Sequence, residues 1–249
     1  MTHCPTSDLP PILAFEEIDS TNAEARRRVE GGERGPLWIT SSRQTAGRGR
    51  RGRAWDTGAG ANLAATLLIT TDKPPIEAAQ VAFVAALAVF DLAHAFVAPS
   101  LLSLKWPNDT LLAGRKLSGV LVESGGLGQG LWLAVGIGVN LAEAPQGAER
   151  PATTLAEHMS GPPPTPREAL EVLRSAVETW RNLWADHGFA PIARAWMERA
   201  HGLGAACIAR LASESVSGVA EGLDPDGALR LRLADGSVRR ISAGDVFFA

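Results

Sequence analysis

The densest chemistry in the chain lies in one run, Gln44-Thr45-Ala46-Gly47-Arg48-Gly49-Arg50-Arg51-Gly52-Arg53-Ala54-Trp55. Three glycines alternate with four arginines, and a tryptophan follows. Glycine lets backbone N–H groups approach a ligand closely. Arginine supplies forked donors that match phosphate and carboxylate oxygens. Such a segment can fold around a polyanion, with Trp55 as a flat apolar lid. On composition alone, a solvated charge run or an Arg-Gly contact to nucleic acid competes with this reading. The setting weakens the competitors, because this is one short loop between two strands and not a repeated tract. A net charge of −3 also argues against a surface that binds nucleic acid throughout. No Gly-Lys-Ser/Thr follows, so the loop is not of Walker A type.

A second constellation is Lys105-Trp106-Pro107-Asn108-Asp109, with Lys116-Leu117-Ser118-Gly119-Val120-Leu121-Val122-Glu123 close behind. The chain uses 21 arginines but only three lysines, Lys73, Lys105 and Lys116, so each lysine raises the question of why arginine would not serve. Asn108-Asp109 after Pro107 is also ordinary turn chemistry, and Trp106 alone reads as core. Lys116 opens a largely apolar strand, where an exposed cation has no packing role. A third piece is Gly136-Ile137-Gly138-Val139-Asn140. Two glycines in one strand suggest a ligand or backbone passing close by, with the Asn140 amide at the strand end; a bulge closed by an asparagine fits equally well. Finally, Ser20-Thr21-Asn22 sets three hydrogen-bonding side chains at a helix start, and capping explains only one of them.

These residues need elements to hold them. Residues 12–18 read as a strand and 23–30 as a helix, with Thr21 and Glu24 as a capping box and Gly31-Gly32 as its end. Residues 37–41 read as a strand, 43–53 as a loop and 62–70 as a buried strand. A helix over 76–97 places Ile76, Ala79, Phe83, Leu87, Phe90 and Val97 on one side and is apolar on the other. Three antiparallel strands follow, 101–105, 116–123 and 131–139, with turns at 112–115 and 125–130. Residues 143–154 form a loop long enough to suggest function. Helices cover 166–186, with Leu170, Leu173, Val177, Trp180 and Leu183 facing inward, and 189–201. From Gly204 the texture becomes short alternating strands with turns at Asp226-Gly227 and Asp235-Gly236. The expected fold is α+β: a mixed or antiparallel central sheet flanked by helices over residues 1–203, and a small all-β module over 204–249.

Composition sets limits. With 249 residues, 45% hydrophobic and 20% charged, the chain can bury a core without disulfides. Its two cysteines, Cys4 and Cys207, lie at opposite ends without histidines at zinc spacing, which fits a reducing compartment. No signal peptide is visible. The most apolar helical stretch, 78–90, is about thirteen residues and contains Gln80, too short for a bilayer. The expectation is a cytoplasmic protein with no membrane or nucleic-acid partner.

The four pieces, in this order, resemble the catalytic region of the biotin–protein ligases, from about residue 12 to 140 and more loosely to the C-terminus. The GRGRRGR run between a glutamine and a tryptophan is the most specific; KWPND, K-L-x-G-x-L-x-E and GIGVN support it independently. The resemblance implies a class II synthetase-like, biotin–lipoate ligase-like domain with a C-terminal SH3-like β-barrel. It implies activation of biotin by ATP with Mg²⁺, then transfer to a lysine of a biotin carboxyl carrier domain. Ser20, Thr21, Asn22 and Gln44 would hold biotin's ureido ring. Gly47, Arg48, Gly49 and Arg50 would wrap the carboxylate and phosphates, assisted by Arg51 and Arg53, and Trp55 would close over the intermediate. Lys116 would contact the reacting oxygens, with Arg50 as its catalytic companion, and Gly119 would leave room for biotin. Asn108 and Asp109 would lie near the nucleotide, Asp109 near its metal. Gly136 and Gly138 would floor the site, and Asn140 and loop 143–154 would border the adenine. Relatives that repress transcription carry an N-terminal DNA-binding domain; about eleven residues precede the first strand here, so no such role is expected. Exposed strands of the central sheet could pair two subunits. The nearest rival is a lipoate or octanoyl transferase, whose acyl chains need a wholly apolar pocket.

Overall fold

Period-two patterning in two central strands decides the architecture of the protein. A computed structural model describes residues 9–55, 58, 60–145 and 151–248; Cys4 and the middle of the 143–154 loop lie outside the described residues. Strands β3 (Leu63–Thr71) and β7 (Gly130–Val139) pair antiparallel from Leu63↔Val139 to Thr71↔Leu131. Leu63, Leu67 and Ile69 of β3, with Leu133, Val135, Ile137 and Val139 of β7, enter the main core. The alternate residues Leu68 and Ala134 face the other way, into a smaller cluster with Ala25 and Val29. Residues i and i+2 share a strand face, so two apolar sets give two buried layers.

Around this pair run β1 (Ile12–Ile18), β2 (Leu37–Gln44), β4 (Leu102–Lys105), β5 (Asp109–Leu112) and β6 (Arg115–Leu127), in the order β1-β2-β3-β7-β6-β5-β4. β1 and β2 are parallel and the remaining neighbours antiparallel, so the sheet is mixed. One face carries α1 (Thr21–Glu30), the other α3 (Val81–His94) and α4 (Pro166–His187), with α5 (Phe189–Met197) packed against these two helices.

Four expectations change. The helix over 76–97 is two, α2 (Pro75–Ala78) and α3, and Ile76 is 59% exposed and not core. The combined run Pro75–His94 is longer than thirteen residues and has the length and composition of a membrane-crossing helix, yet 72% of its apolar window is buried inside the fold. A helix apolar nearly all round is what a two-sided core requires; Gln80, a buried polar residue in this run, accepts from Trp184 Nε1 at 3.1 Å. Ser20, not Thr21, caps α1: its Oγ lies 3.5 Å from the Ala23 amide. Glu24 therefore pairs with Arg27 and Arg28, and the capping box forms instead at α4 between Thr165 and Glu168. Lastly, β5 lies between β4 and β6, joined to β6 by a two-residue turn with Ala113 at φ 49° and Gly114 at φ 75°.

The C-terminal strands β8 (Ala206–Arg210), β9 (Ser215–Leu223), β10 (Leu229–Arg232), β11 (Val238–Ile241) and β12 (Asp245–Phe248) form one antiparallel sheet, β11-β10-β9-β8-β12. It does not close into the expected barrel. β11 and β12 are four residues each and pair on one side only, and the start of β12 is engaged by arginines of the 50–53 segment.

Candidate active site

Beyond the N-terminus of α1, the sheet face carrying Leu68 and Ala134 loses its large side chains. Ala64, Gly136 and Gly138 continue it, and a cavity of about 560 Å³ opens over them. Its two ends are built differently.

At one end the side chains that line the cavity, Ser20, Thr21, Asn22 and Gln44, are neutral. The Thr21 N–H and Oγ1 both approach Gln44 Oε1, at 2.8 and 3.1 Å. Thr66 Oγ1, fully buried in β3, lies 2.8 Å from Thr21 Oγ1 and 2.7 Å from Asn22 Oδ1. Asn22 Oδ1 carries no proton, so Thr66 donates to it, while Thr21 donates to Gln44 or Thr66. Asn22 Nδ2 in turn donates to Glu123 Oε2 at 2.8 Å and lies 3.4 Å from the Leu121 carbonyl. A Cβ on Gly136 would fall 2.4 Å from Asn22 Oδ1, so only glycine lets this side chain lie across β7.

At the other end residues 47–55 fold into a hairpin. The Trp55 amide donates to Gly47 O at 2.9 Å and the Gly49 amide to Arg53 O at 2.7 Å. The Trp55 ring lies on the sheet over Gly119 and Gly138, which are register partners. A Cβ on Gly138 would come within 2.2 Å of that ring. The close approach that two glycines in β7 imply is thus made by Asn22 and Trp55. Lys116 Nζ sits 5.7 Å from the Trp55 ring centroid and 2.6 Å from Asp109 Oδ1. Its backbone is fixed by the last part of the 143–154 loop, with Lys116 N to Pro151 O at 2.9 Å and Thr153 N to Lys116 O at 3.0 Å.

Arg50 reaches across the cavity to Asn108 Oδ1 at 3.1 Å and Gly244 O at 2.9 Å. Arg53 and Arg51 turn to Asp245, at 3.0 and 3.2 Å. Burial works against the charge on Arg50 and holds its pKa below the usual arginine range. Burial would raise the Asp245 carboxyl, but Arg53, with Arg50 and Arg51, outweighs it and holds the group below the usual aspartate value. Arg48 lines the cavity, and its guanidinium forms no ion pair among the described residues.

Of the residues singled out from sequence, Ser20, Thr21, Asn22, Gln44, Arg48, Gly49, Arg50, Arg53, Trp55, Asn108, Asp109, Lys116, Gly119, Gly136, Gly138 and Asn140 line this one cavity. Gly47 does not: it underlies the hairpin, where a Cβ would fall 2.3 Å from Trp55 O. Arg51 does not either, because its side chain turns to Asp245 and the Arg210 carbonyl. Asn140, almost fully buried, donates to Thr153 O at 3.1 Å, and its Oδ1 has no partner among the described residues. Lys116 is a partly buried cation paired with Asp109, so the expected exposed cation is compensated in place. Sequence reasoning missed Thr66 and Asp245, and quoted Glu123 as part of a motif without giving it a role. Thr66 left a faint signal as a polar residue inside an apolar strand; Asp245 left none.

Comparison with known proteins agrees with this geometry. Residues 14–140 match the biotin/lipoate A/B protein ligase family, and residues 202–249 match the biotin protein ligase C terminal domain. A biotin–[acetyl-CoA-carboxylase] ligase of Paracoccus denitrificans is 44% identical over 92% of this chain and 97% of its own length. Another from Mycobacterium tuberculosis is 32% identical over 92% of this chain and 86% of its own length. The structure of a biotin protein ligase from Aquifex aeolicus, in complex with biotin and ATP, superposes with a TM-score of 0.79 at 25% identity, covering 96% of this chain and 98% of that one. By sequence over nearly its whole length, and by fold, this chain belongs to the biotin protein ligases.

Proposed function

We propose that the chain activates biotin with ATP to biotinyl-5′-AMP and transfers the biotinyl group to a lysine of the biotin carboxyl carrier domain of acetyl-CoA carboxylase. One observation carries the reading. A single cavity joins a neutral hydrogen-bonding end to a cationic end, and biotin has a neutral ureido ring at one end and a carboxylate at the other.

Ser20, Thr21, Asn22 and Gln44 hold the ureido group, whose carbonyl and two N–H groups need a fixed pattern of donors and acceptors. The network through Thr66 and Glu123 holds Asn22 and Thr21 in place. The carboxylate then points toward Arg48, Arg50 and Lys116. A carboxylate oxygen attacks the α-phosphorus, the bond to the bridging oxygen breaks and pyrophosphate leaves. Both reactants are anionic, so fixed cations in a partly dry site offset their repulsion and stabilise the charge of the transition state. Lys116 swings from Asp109 to the reacting oxygens, and Trp55 covers the mixed anhydride against water. The carrier lysine attacks the acyl carbon and AMP departs. Asn140, with Pro145 and Ala152 from the described ends of the 143–154 loop, borders the adenine.

Among the described residues no group of three or more His, Cys, Asp or Glu could hold a metal, so a resident metal centre does not fit. Asp109, one carboxylate beside the cavity, does fit a magnesium that arrives on the nucleotide. That ion would share the neutralisation of phosphate charge. The C-terminal sheet is read as an SH3-like domain of residues 204–249 beside a catalytic domain of 1–203. A cytoplasmic location is part of this reading, supported by a chain with only two cysteines.

The test is transfer of label. With ATP, Mg²⁺, labelled biotin and a carrier domain, label appears on the carrier lysine, and it does not when ATP or the lysine is absent. A carrier labelled by octanoate or lipoate but not by biotin would overturn the reading.

A further inference from the structure

The arginine hairpin is fastened to the C-terminal sheet through one carboxylate. Asp245, the first residue of β12, is 8% exposed and lines the cavity. Arg53 Nη2 lies 3.1 and 3.0 Å from its two oxygens, Arg51 Nη1 lies 3.2 Å away and Arg50 Nη1 3.8 Å. Two flanking carbonyls add to the grip. Gly244 O accepts from Arg50 Nη2 at 2.9 Å, and Arg210 O from Arg51 Nη2 at 3.2 Å. Asp245 and Arg210 are register partners in the β8–β12 pairing, so the receiving edge is itself held by the sheet.

Three guanidiniums gathered around one point repel one another, and the hairpin tip holds Arg51 at φ 56°, a left-handed conformation unfavourable for a side chain with a Cβ. Neither feature survives without compensation. Asp109, the other carboxylate lining the cavity, pairs with Lys116, favours the charge on Arg50 only from a distance, and does not hold the hairpin. Asp245 does, and it leaves the three arginines with a net charge of about two toward an incoming polyanion.

We propose that Asp245 is a positioning residue for adenylation. As the counter-ion of Arg50, Arg51 and Arg53, it holds the hairpin against the cavity, so that nucleotide phosphates meet a preformed cationic wall. The C-terminal domain is then part of the nucleotide site. This rests on the reading that the cavity takes biotin and ATP. A carboxylate that merely competed with phosphate for the arginines would have the opposite effect on nucleotide affinity, so the sign of one measurement separates the two.

The experiment compares full-length wild type, Asp245→Asn and Asp245→Glu in biotin-dependent ATP–pyrophosphate exchange across a range of ATP. Amide hydrogen exchange over residues 48–55 is followed in the ligand-free proteins. For Asp245→Asn, KM for ATP rises by about 10-fold or more, the size of one charge-assisted hydrogen bond. Its kcat falls by less than about three-fold, because the reacting groups remain in place. The hairpin amides exchange faster, and Asp245→Glu recovers most of the loss. An unchanged or lowered KM for ATP overturns the proposal, as does a kcat loss as large as the KM change. If Asp245→Asn does not fold, wild type carries the test: hairpin exchange must rise with NaCl between about 0.05 and 1 M while residues 20–44 stay flat, and a flat hairpin refutes the anchor. If wild type shows no biotin-dependent exchange, the functional reading has failed, and hydrogen exchange alone decides whether Asp245 anchors the hairpin.

Discussion

The two ends of the cavity solve the same problem, burying polar groups before a ligand arrives, by opposite means. At the neutral end the groups satisfy one another across regular elements. Thr21 and Asn22 sit on the first turn of α1, Gln44 ends β2 and Thr66 lies within β3. Side chains held this way keep their orientation at small cost, because each buried donor and acceptor has a partner. At the charged end, cations on long side chains lean on carboxylates: Lys116 on Asp109, and Arg53 and Arg51 on Asp245. A partly buried cation without a counter-ion would be costly; when an anion enters, Lys116 leaves Asp109, while Asp245 keeps its arginines and shares them with the anion. Shape recognition therefore belongs to the rigid end and chemistry to the end that rearranges. Sensitivity to salt should divide along the same line.

The largest effect expected is at the charged end. Lys116→Ala lowers biotin-dependent ATP–pyrophosphate exchange by about 100- to 1,000-fold, the range seen when one transition-state donor is removed. Near-normal exchange in the folded variant would take Lys116 out of the mechanism. At the neutral end, Asn22→Ala weakens biotin binding by about 10-fold, one net hydrogen bond's worth. Calorimetry at low and high salt should give the same ratio, and a ratio that collapses with salt would erase the division between the ends. Gly138→Ala strikes where they meet. Displacing the Trp55 ring should speed biotinyl-AMP release about five-fold, roughly 1 kcal/mol of aromatic contact, and a stopped-flow chase with an unchanged adenylate lifetime would count against a lid. Smallest is an acid effect beside the neutral end. The hydrogen bond from Arg27 lowers the Asp19 pKa from 3.8 to about 2. Because folding lowers this pKa, its stabilisation is complete above 3.8 and is lost as pH falls toward 2. Both side chains are nearly half exposed, so solvent screens most of it. Asp19→Asn should flatten the melting curve against pH only slightly, and a steeper acid dependence in the variant would reverse the assignment.

What the sequence discloses follows the range of the interactions involved. The Arg/Gly run, Lys116 and the glycines of β7 are conspicuous because their residue types are poor choices for ordinary packing, and sixteen of the residues picked out this way line the cavity. The apolar run at 62–70 marked a buried strand for the same local reason. Helix α1 was legible but its cap was displaced by one residue, since Ser20, Thr21 and Asn22 are all acceptable caps and only the path of the chain chooses among them. β5 escaped because four residues opening on Asn108-Asp109 look like a turn until β4 and β6 pair on either side. Asp245 lies 192 residues from Arg53, and no local pattern marks a carboxylate whose partner is that remote. Gly138 signalled a close approach without saying that Trp55 makes it.

The most direct test of the central claim, that one cavity presents a cationic hairpin and Lys116 to a carboxylate held from its neutral end, is ATP–pyrophosphate exchange by the wild-type protein with biotin, with lipoate and with neither. Exchange that requires biotin and is not supported by lipoate is the predicted result. Exchange without any acid, or equal exchange with both acids, would contradict it.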